Sequence, residues 1–437
     1  MNEKQSRHIL SKIQNVRAEY PRAFWVLMTG TFIDRFGTNL IIPFLAIYVV
    51  QRFHAQFTEV GIIFTIMAIT SAAGNLLAGA LADRFGRRFT LVLGLVCAAT
   101  ARMGLGFAGD VSTLYIAAAF AGLFGAIGWP AQLAMTADLL GQEKRANGFG
   151  IQRVVINSTF ALGPLMGAFA APLIGYTWLF VLDALTSYFV AFVVFRHLPE
   201  TISKKPVGTS SENFAQTMAG YKRVLQDGTF TIFILISILT VTAFLQMSTT
   251  LGLFLVNVHH LSTSFFGTLV MLNALMVVFL QIPISRWASK RPLLLVMCGG
   301  AAFYLIGFGS YGIFTTVPLF VLGMVLITCG EMLAIPTSQA LTALLAPEDM
   351  RARYVATERF NWIIAQSLGP LAAAAIMDRF DPRWVWYGCS IVCAIAIIGY
   401  YGLYRYAGKR LNTKQGLDAK PQLAPARGAS TSGAVGE

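Results

Sequence analysis

Residues 130–165 read PAQLAMTADLLGQEKRANGFGIQRVVINSTFALGPL, and residues 336–371 read PTSQALTALLAPEDMRARYVATERFNWIIAQSLGPL. A fixed shift of 206 positions brings Pro130 onto Pro336, Arg145-Ala146 onto Arg351-Ala352 and Arg153 onto Arg359. The same shift brings Leu162-Gly163-Pro164-Leu165 onto Leu368-Gly369-Pro370-Leu371. Twelve of the 36 positions are identical, without a gap. Two apolar stretches agree by chance at Leu and Ala, but agreement at Pro, Arg and a Gly-Pro pair marks a repeat. Parallel repeats of this kind build transporters whose substrate site lies between the halves near the middle of the bilayer.

The rest of the chain extends that unit. Of its 437 residues, 56% are hydrophobic and 12% are Asp, Glu, Lys or Arg. An ordinary soluble domain carries ~25% charged residues, so a soluble enzyme, a disordered chain and a disulfide-built secreted scaffold are excluded. A membrane-crossing helix needs ~20 apolar residues. Twelve such spans can be drawn, near 23–50, 58–82, 89–109, 113–137, 147–171, 176–195, 229–257, 264–285, 293–314, 317–345, 355–377 and 384–404. The polar stretch 196–228 separates a six-span half, 23–195, from a second, 229–406. A polar segment, 1–22, precedes them. A tail, 407–437, rich in Ala, Gly, Ser, Pro and Lys, follows and is predicted to be disordered, because it holds too little apolar surface to order itself. The expected fold is an all-α integral membrane protein, with twelve transmembrane helices in two pseudo-symmetric six-helix halves.

The net charge of +13 is a topology signal. With the N-terminus and alternate loops assigned to the cytoplasm, 26 of the 33 Lys and Arg lie there and three (Arg52, Arg379, Arg383) lie outside. Such a bias sets orientation, so both termini are expected in the cytoplasm and nucleic-acid binding is not. The five cysteines all fall inside apolar spans and form no ligand spacing. His259-His260 could sense pH or bind a metal, although their spacing fits a solvated loop. No cleavable signal peptide, metal site, P-loop or nucleophile elbow is found. Short loops and the missing targeting signals suit a bacterial inner membrane.

Two motifs carry a resemblance. The first is Gly74-Asn-Leu-Leu-Ala-Gly79-Ala-Leu-Ala-Asp83-Arg84-Phe-Gly86-Arg87-Arg88. Its glycines let helices approach closely, and its acid can face a neighbouring helix N-terminus at a tight basic turn. Its weakened copy, Ser285-Arg286-Trp-Ala-Ser289-Lys290-Arg291, replaces the acid with Ser289. The second, in span five, runs Gly150, Thr159, Gly163-Pro164, Gly167-Ala168. There small residues permit close packing and Pro164 bends the helix.

Over essentially all of its membrane portion the chain resembles the major facilitator superfamily, and the span-five pattern resembles its twelve-helix drug–proton antiporter branch. The resemblance implies a gating turn made of Gly79, Asp83, Arg84, Gly86, Arg87 and Arg88, with Asp138 in reach. It also implies a packing motif of Gly150, Gly163, Pro164 and Gly167 that seals one half against the other. One position departs from the branch: Ala118 stands where many proton antiporters carry an arginine, four residues before Gly122.

Charges inside the bilayer cost ~2.5–3.5 kcal/mol each on insertion scales, so each is a candidate. Asp34 lies ~11 residues into span one, about 17 Å deep at ~1.5 Å per residue. It is expected to take up protons or attract a cation, with Arg35 beside it as neutraliser. Glu331 in span ten, with no Lys or Arg one turn away, is the second expected proton carrier. Asn39, Trp129, Gln132, Gln246 and Asn273 complete the expected cavity, with Phe44 and Gln281 as further contacts. Asp183 is expected to bond backbone or hydroxyls in a peripheral helix, and Arg102 to snorkel or to pair with an acid.

The function expected is secondary export of small amphipathic or drug-like compounds by alternating access, as a proton antiporter. The proton gradient would serve as the energy source, with no cofactor and no metal. The alternatives are a dedicated exporter of a lipid, siderophore or sugar-type cargo, or a non-transporting receptor or scaffold on the same fold. The expected partners are a small-molecule substrate, protons and the lipid bilayer, with the chain acting as a monomer. No catalytic constellation is present, so an enzyme is not expected.

Overall fold

The computed structural model describes residues 19–201, 214–347 and 350–415. Within them, Gly79 and the side chain of Asp83 lie outside the described residues, so the expected acid of the gating turn is not placed. Among the described residues, twelve helices are long and apolar enough to cross a membrane, and the chain is a multi-pass membrane protein. We number them α1 (Arg22–Phe53), α2 (Phe57–Phe85), α3 (Arg87–Phe107), α4 (Val111–Asp138), α5 (Gln142–Ile174), α6 (Tyr176–His197), α7 (Gly228–Thr249), α8 (Thr263–Ala288), α9 (Leu293–Ile313), α10 (Val317–Leu345), α11 (Arg351–Arg379) and α12 (Arg383–Gln415). A further helix, Phe214–Gln226, sits in the stretch between the halves. The last helix corrects one expectation: it runs to Gln415, nine residues into the stretch where a disordered tail is expected to begin.

Local chemistry sets the helix ends. Pro43 removes a backbone donor, and α1 tightens there into a 3₁₀ turn at Ile42–Phe44. Asp110 begins α4 by accepting the Thr113 N–H at 2.7 Å, and the bonds from the Thr113 backbone and hydroxyl hold this carboxyl below its ordinary value. Ser262 caps α8 through the Phe265 N–H at 3.1 Å, and a Gln56–Glu59 capping box begins α2.

These ends show that the repeat is wider than the 36 aligned positions. The 206-residue shift carries the helix-capping residue Gln56 onto Ser262 and Asp110 onto Thr316. It also relates the two non-glycine residues with positive φ among the described residues, His54 (50°) and His260 (53°).

The halves meet through two helix pairs, α2 with α11 and α5 with α8, and the shift relates these contacts as well. A Cβ on Gly61 would stand 3.1 Å from Pro370 O and 3.1 Å from Ala374 Cβ. One on Gly267 would stand 3.2 Å from Pro164 O and run into Ala168 Cβ. Pro164 and Ala168 map onto Pro370 and Ala374, and Gly61 onto Gly267. The absence of a side chain at these glycines is what lets the backbones touch.

Polar bonds reinforce the same end. The Asp378 carboxylate of α11 accepts the N–H groups of Phe57 (2.9 Å) and Thr58 (2.6 Å) and the Thr58 hydroxyl (2.5 Å) at the N-terminus of α2. Thr65 donates to Ser367 O at 2.6 Å, and Ser264 to Ala168 O at 3.3 Å. Among the described residues, the hydrogen bonds between the halves all fall toward the end bearing His54 and His260.

His259 beside that turn is half-buried rather than solvated. Its ring lies edge-on to Phe254 (4.7 Å) and Phe320 (4.9 Å). Burial, with Arg383 and His260 adding, pushes its pKa below the ordinary value.

Candidate functional site

Helices α1 to α4, with Gln366 from α11, line an open-sided cavity of about 240 Å³. Asp34, Arg35, Trp129 and Gln132 line it, together with Arg102 and Thr38. Gly94, Gly122, Gly125 and Gly128 also line it; Gly94 and Gly122 bring α3 and α2 close against α4, and Gly125 leaves open space. At Gly125 an added Cβ would meet nothing within 4 Å.

One wall is a charge network. Arg102 Nε donates to Asp183 Oδ2 at 2.5 Å and its Nη2 to Ser187 Oγ at 2.8 Å. Ser187 in turn donates to Asp34 Oδ1 at 2.7 Å, which lies 3.9 Å from Arg102 Nη2. Thr38 closes the ring by donating to Asp183 Oδ1 at 3.1 Å. Asp183 is completely buried, whereas the Asp34 side chain keeps 15% exposure. Asp34 Oδ2 accepts no hydrogen bond among the described residues.

This corrects the reading of Asp183. It joins α6 to α3 through an ion pair in the bundle interior, not merely hydroxyls at a peripheral position. Ser187, which bonds the same arginine, stands four residues later on the same helix face; that i, i+4 pairing of an acid and a hydroxyl was the available signal. Arg102 pairs with an acid and does not snorkel.

Arg35 stands differently. Its guanidinium carbon lies 5.0 Å from the centre of the Trp129 ring, a cation–π distance. Its Nε is buried with no hydrogen-bond partner. Gln132 donates to Thr31 Oγ1 across α4 and α1.

The other expected cavity residues lie elsewhere. Asn39 is buried (6% exposed) and donates to Thr159 of α5 at 3.0 Å, because its face of α1 packs on Gly163. Gln246 is spent within α7, donating to Thr242 O at 3.0 Å and accepting from Thr250 at 2.6 Å, and packs on Gly369. Asn273 and Glu331 find each other: the amide donates to Glu331 Oε2 at 2.6 Å and to Thr328 Oγ1 at 3.1 Å. They form a second polar pair, between α8 and α10, which does not line the cavity. Phe44 is fully buried against Phe266, and Gln281 bonds Ser285 and the Met332 carbonyl.

At the basic turn, Arg87 forms an ion pair with Asp138 and donates to Ala134 O at 3.2 Å. The acid found at the N-terminus of α3 is Glu200, which sequence reasoning missed. It accepts the N–H groups of Arg87 (2.8 Å) and Arg88 (3.2 Å), while Arg88 Nη1 reaches Leu198 O at 3.2 Å. Gly86, at φ 99°, adopts a backbone open to glycine, and a Cβ there would strike the Glu200 carboxylate. Arg84 lies over Phe85 at 5.2 Å. The span-five motif departs from the expected seal between halves: Gly163 and Gly167 pack on Asn39 and Leu40 of α1 in the same half, Pro164 O faces Gly267 of α8, and a Cβ on Gly150 would meet nothing within 4 Å.

The second half holds the counterpart of the cavity, reduced to about 20 Å³. The repeat shift carries Ala98 onto Tyr304 and Thr38 onto Phe244, whose rings occupy the equivalent space.

Comparison with known proteins agrees with this fold. The sequence profile described as Major Facilitator Superfamily matches residues 27–360. A Na(+), Li(+), K(+)/H(+) antiporter of Planococcus maritimus is 26% identical over 398 residues, 85% of this chain and 91% of that protein. The multidrug resistance protein MdtH of Yersinia enterocolitica is 22% identical, over 86% of this chain and 93% of its own. Among solved structures, the nucleoside transporter NupG superposes with a TM-score of 0.78 at 12% identity, covering 88% of this chain and all of that one.

Proposed function

The chain belongs to the Major Facilitator Superfamily, and from that membership we propose that it exports small amphipathic compounds in exchange for protons, by alternating access. The observation that carries the reading is Asp34: a carboxylate deep in α1, lining the cavity, with one oxygen bonded to Ser187 and the other free. A free carboxylate oxygen inside a membrane bundle can accept either a proton or a cationic group, but not both, and such competition is what antiport requires. The kinship to a cation/proton antiporter and to a multidrug resistance protein supports the same direction.

In this reading the protein sits in the cytoplasmic membrane as a monomer with both termini inside. The sealed end faces outward, so substrate enters from the cytoplasm. Protonation of Asp34 releases the substrate, and the paired glycine contacts part and re-form as access alternates. The Arg87–Asp138 pair and the Glu200 cap hold the inner turn in shape. Glu331 serves as a second proton carrier.

The test is proton movement in liposomes holding the purified protein, challenged with lipophilic cations and neutral drugs. Wild type is compared with Asp34→Asn and Glu331→Gln. Substrate-triggered proton flux that vanishes in a variant locates the coupling acid. Substrate accumulation unchanged in both variants ends the coupling scheme.

A second reading, exchange of alkali cations for protons, draws support from the first relative's name. Adding Na⁺, Li⁺ and K⁺ to the panel separates it from the first.

A further inference from the structure

The cavity wall carries four charges, and they are not equivalent. Asp183 and Arg102 form the tight pair at 2.5 Å, with the carboxylate fully buried, and Arg102 reaches Asp34 Oδ1 only at 3.9 Å. Asp34 and Arg35 remain, adjacent in sequence and both lining the cavity. Asp34 offers its unbonded Oδ2. Arg35 has no hydrogen bond or ion pair among the described residues, and its guanidinium is held by the Trp129 face at 5.0 Å. A guanidinium left without an acceptor in a low-dielectric cavity is poised for a planar oxyanion, because its donors form a rigid fork that matches one.

We infer that the compound bound here is a zwitterion, its amine on Asp34 Oδ2 and its carboxylate on Arg35, with an apolar body against the Leu91 and Met67 side of the cavity. The inference rests on the proposed transport reading and narrows its substrate class. A simple cation would take up the Asp34 charge and sit beside Arg35, whose guanidinium has no hydrogen-bond acceptor and repels it. A simple anion would satisfy Arg35 but sit beside ionised Asp34. A zwitterion meets both, and the wall then carries no unpaired charge. Coupling follows from the same geometry. A proton on Asp34 displaces the amine while leaving the carboxylate on Arg35, so the two cargoes compete at one oxygen and not along the whole cavity.

The charged groups that act on Asp34 are Arg35 on its own helix, Arg102 from α3 and Asp183 from α6; α5 meets α1 through the uncharged Thr159 and Gly163. From α4 the neighbours are the uncharged Trp129 and Gln132, and from α2 Met67 and Ser71.

The experiment measures binding to the purified protein by calorimetry, with no gradient present. Three aromatic scaffolds serve as probes: tryptophan, naphthylalanine and dansyl-lysine. Each is presented as the free amino acid, as its methyl ester (a cation) and as its N-acetyl acid (an anion). The expected result is that on at least one scaffold the zwitterion binds tenfold or more tightly than both derivatives. Arg35→Gln should erase the preference over the ester, Arg35→Lys should retain part of it, and Asp34→Asn should erase the preference over the N-acetyl acid. Esters that match or exceed the zwitterion on every scaffold overturn the inference. A preference that survives Arg35→Gln, or no binding of any probe, overturns it too. Because no proton gradient enters, a chain that prefers zwitterions yet moves no protons refutes the antiport reading alone.

Discussion

The seal between the halves rests on two glycines related by the repeat, and filling either one should open it. A Cβ at position 61 would stand 2.7 Å from Leu371 Cα and 3.1 Å from both Ala374 Cβ and Pro370 O. Carbon atoms pack at about 3.5–4.0 Å, so α2 and α11 must separate by roughly 1 Å before even an alanine fits. Gly61→Leu or Gly267→Leu therefore charges the closed arrangement with an overpacking penalty of about 1–3 kcal/mol. The arrangement in which these helices part carries no such penalty. At 1.4 kcal/mol per factor of ten, the equilibrium should move about 5- to 150-fold away from the sealed state. The assay is double electron–electron resonance between spin labels at Gln56 and Phe380, on opposite halves at the sealed end, after replacement of Cys97, Cys298, Cys329, Cys389 and Cys393. Each leucine variant should add a longer-distance population to the short one seen without it. An unchanged distribution in folded variants would refute the reasoning. A response at Gly267 with none at Gly61 would refute the claim that the two contacts are equivalent halves of one seal.

Three other outcomes follow from the same coordinates. Asp183→Asn or Arg102→Gln should each cost about 3–5 kcal/mol, as breaking a buried pair does, while Arg102→Met with Asp183→Leu costs less; thermal unfolding in detergent measures all three, and single variants as stable as wild type would contradict the pairing. Gly125→Leu enters open space, so it should keep or slightly raise the melting temperature, with up to ~1 kcal/mol of helix propensity gained; it should also weaken substrate binding more than tenfold, and undiminished affinity would show that the cavity is not the site. His259 has a folded pKa below its ordinary 6.5, so native protein takes up that proton less readily than unfolded chain. Stability should be full above about pH 6.5 and fall as pH drops through 6.5 toward the lowered value, and His259→Gln should flatten that part of the melting curve against pH.

Much of the architecture is legible in the sequence because bilayer thickness dictates it. Span ends drawn from apolar run length fall within a few residues of most observed helices, and the 206-residue shift read at Arg145, Arg153 and Gly163-Pro164 is the shift that relates Gly61 to Gly267. Less legible is which way a polar residue points. Depth along a helix can be counted, but rotation about its axis is decided by neighbours far away in sequence. Asn39 and Asp34 sit five residues apart on α1, yet one faces Thr159 and the other the cavity. Gln246 faces its own helix. Asp183 is expected in a peripheral helix, while the partner that brings it inside is 81 residues away. Glu200 was missed for the opposite reason: it stands in a loop, where an acid draws no notice until a helix N-terminus is placed beside it.

The repeat also shows where the four-charge network differs from the packing around it. Duplication supplies two copies of every packing position, and packing kept both: glycine at 61 and 267, proline at 164 and 370, alanine at 168 and 374. The charges of the cavity wall were not kept, although Arg145 and Arg153 recur as Arg351 and Arg359. The shift carries Asp34 onto Thr240, Arg35 onto Val241, Arg102 onto Phe308 and Asp183 onto Cys389. In the other direction it carries Glu331 onto Gly125, the residue that leaves the first cavity open. A charged network costs several kcal/mol of desolvation unless its geometry is complete, so two copies would double that cost without adding a second route for substrate. Tyr304 and Phe244 instead fill the equivalent space in the second half.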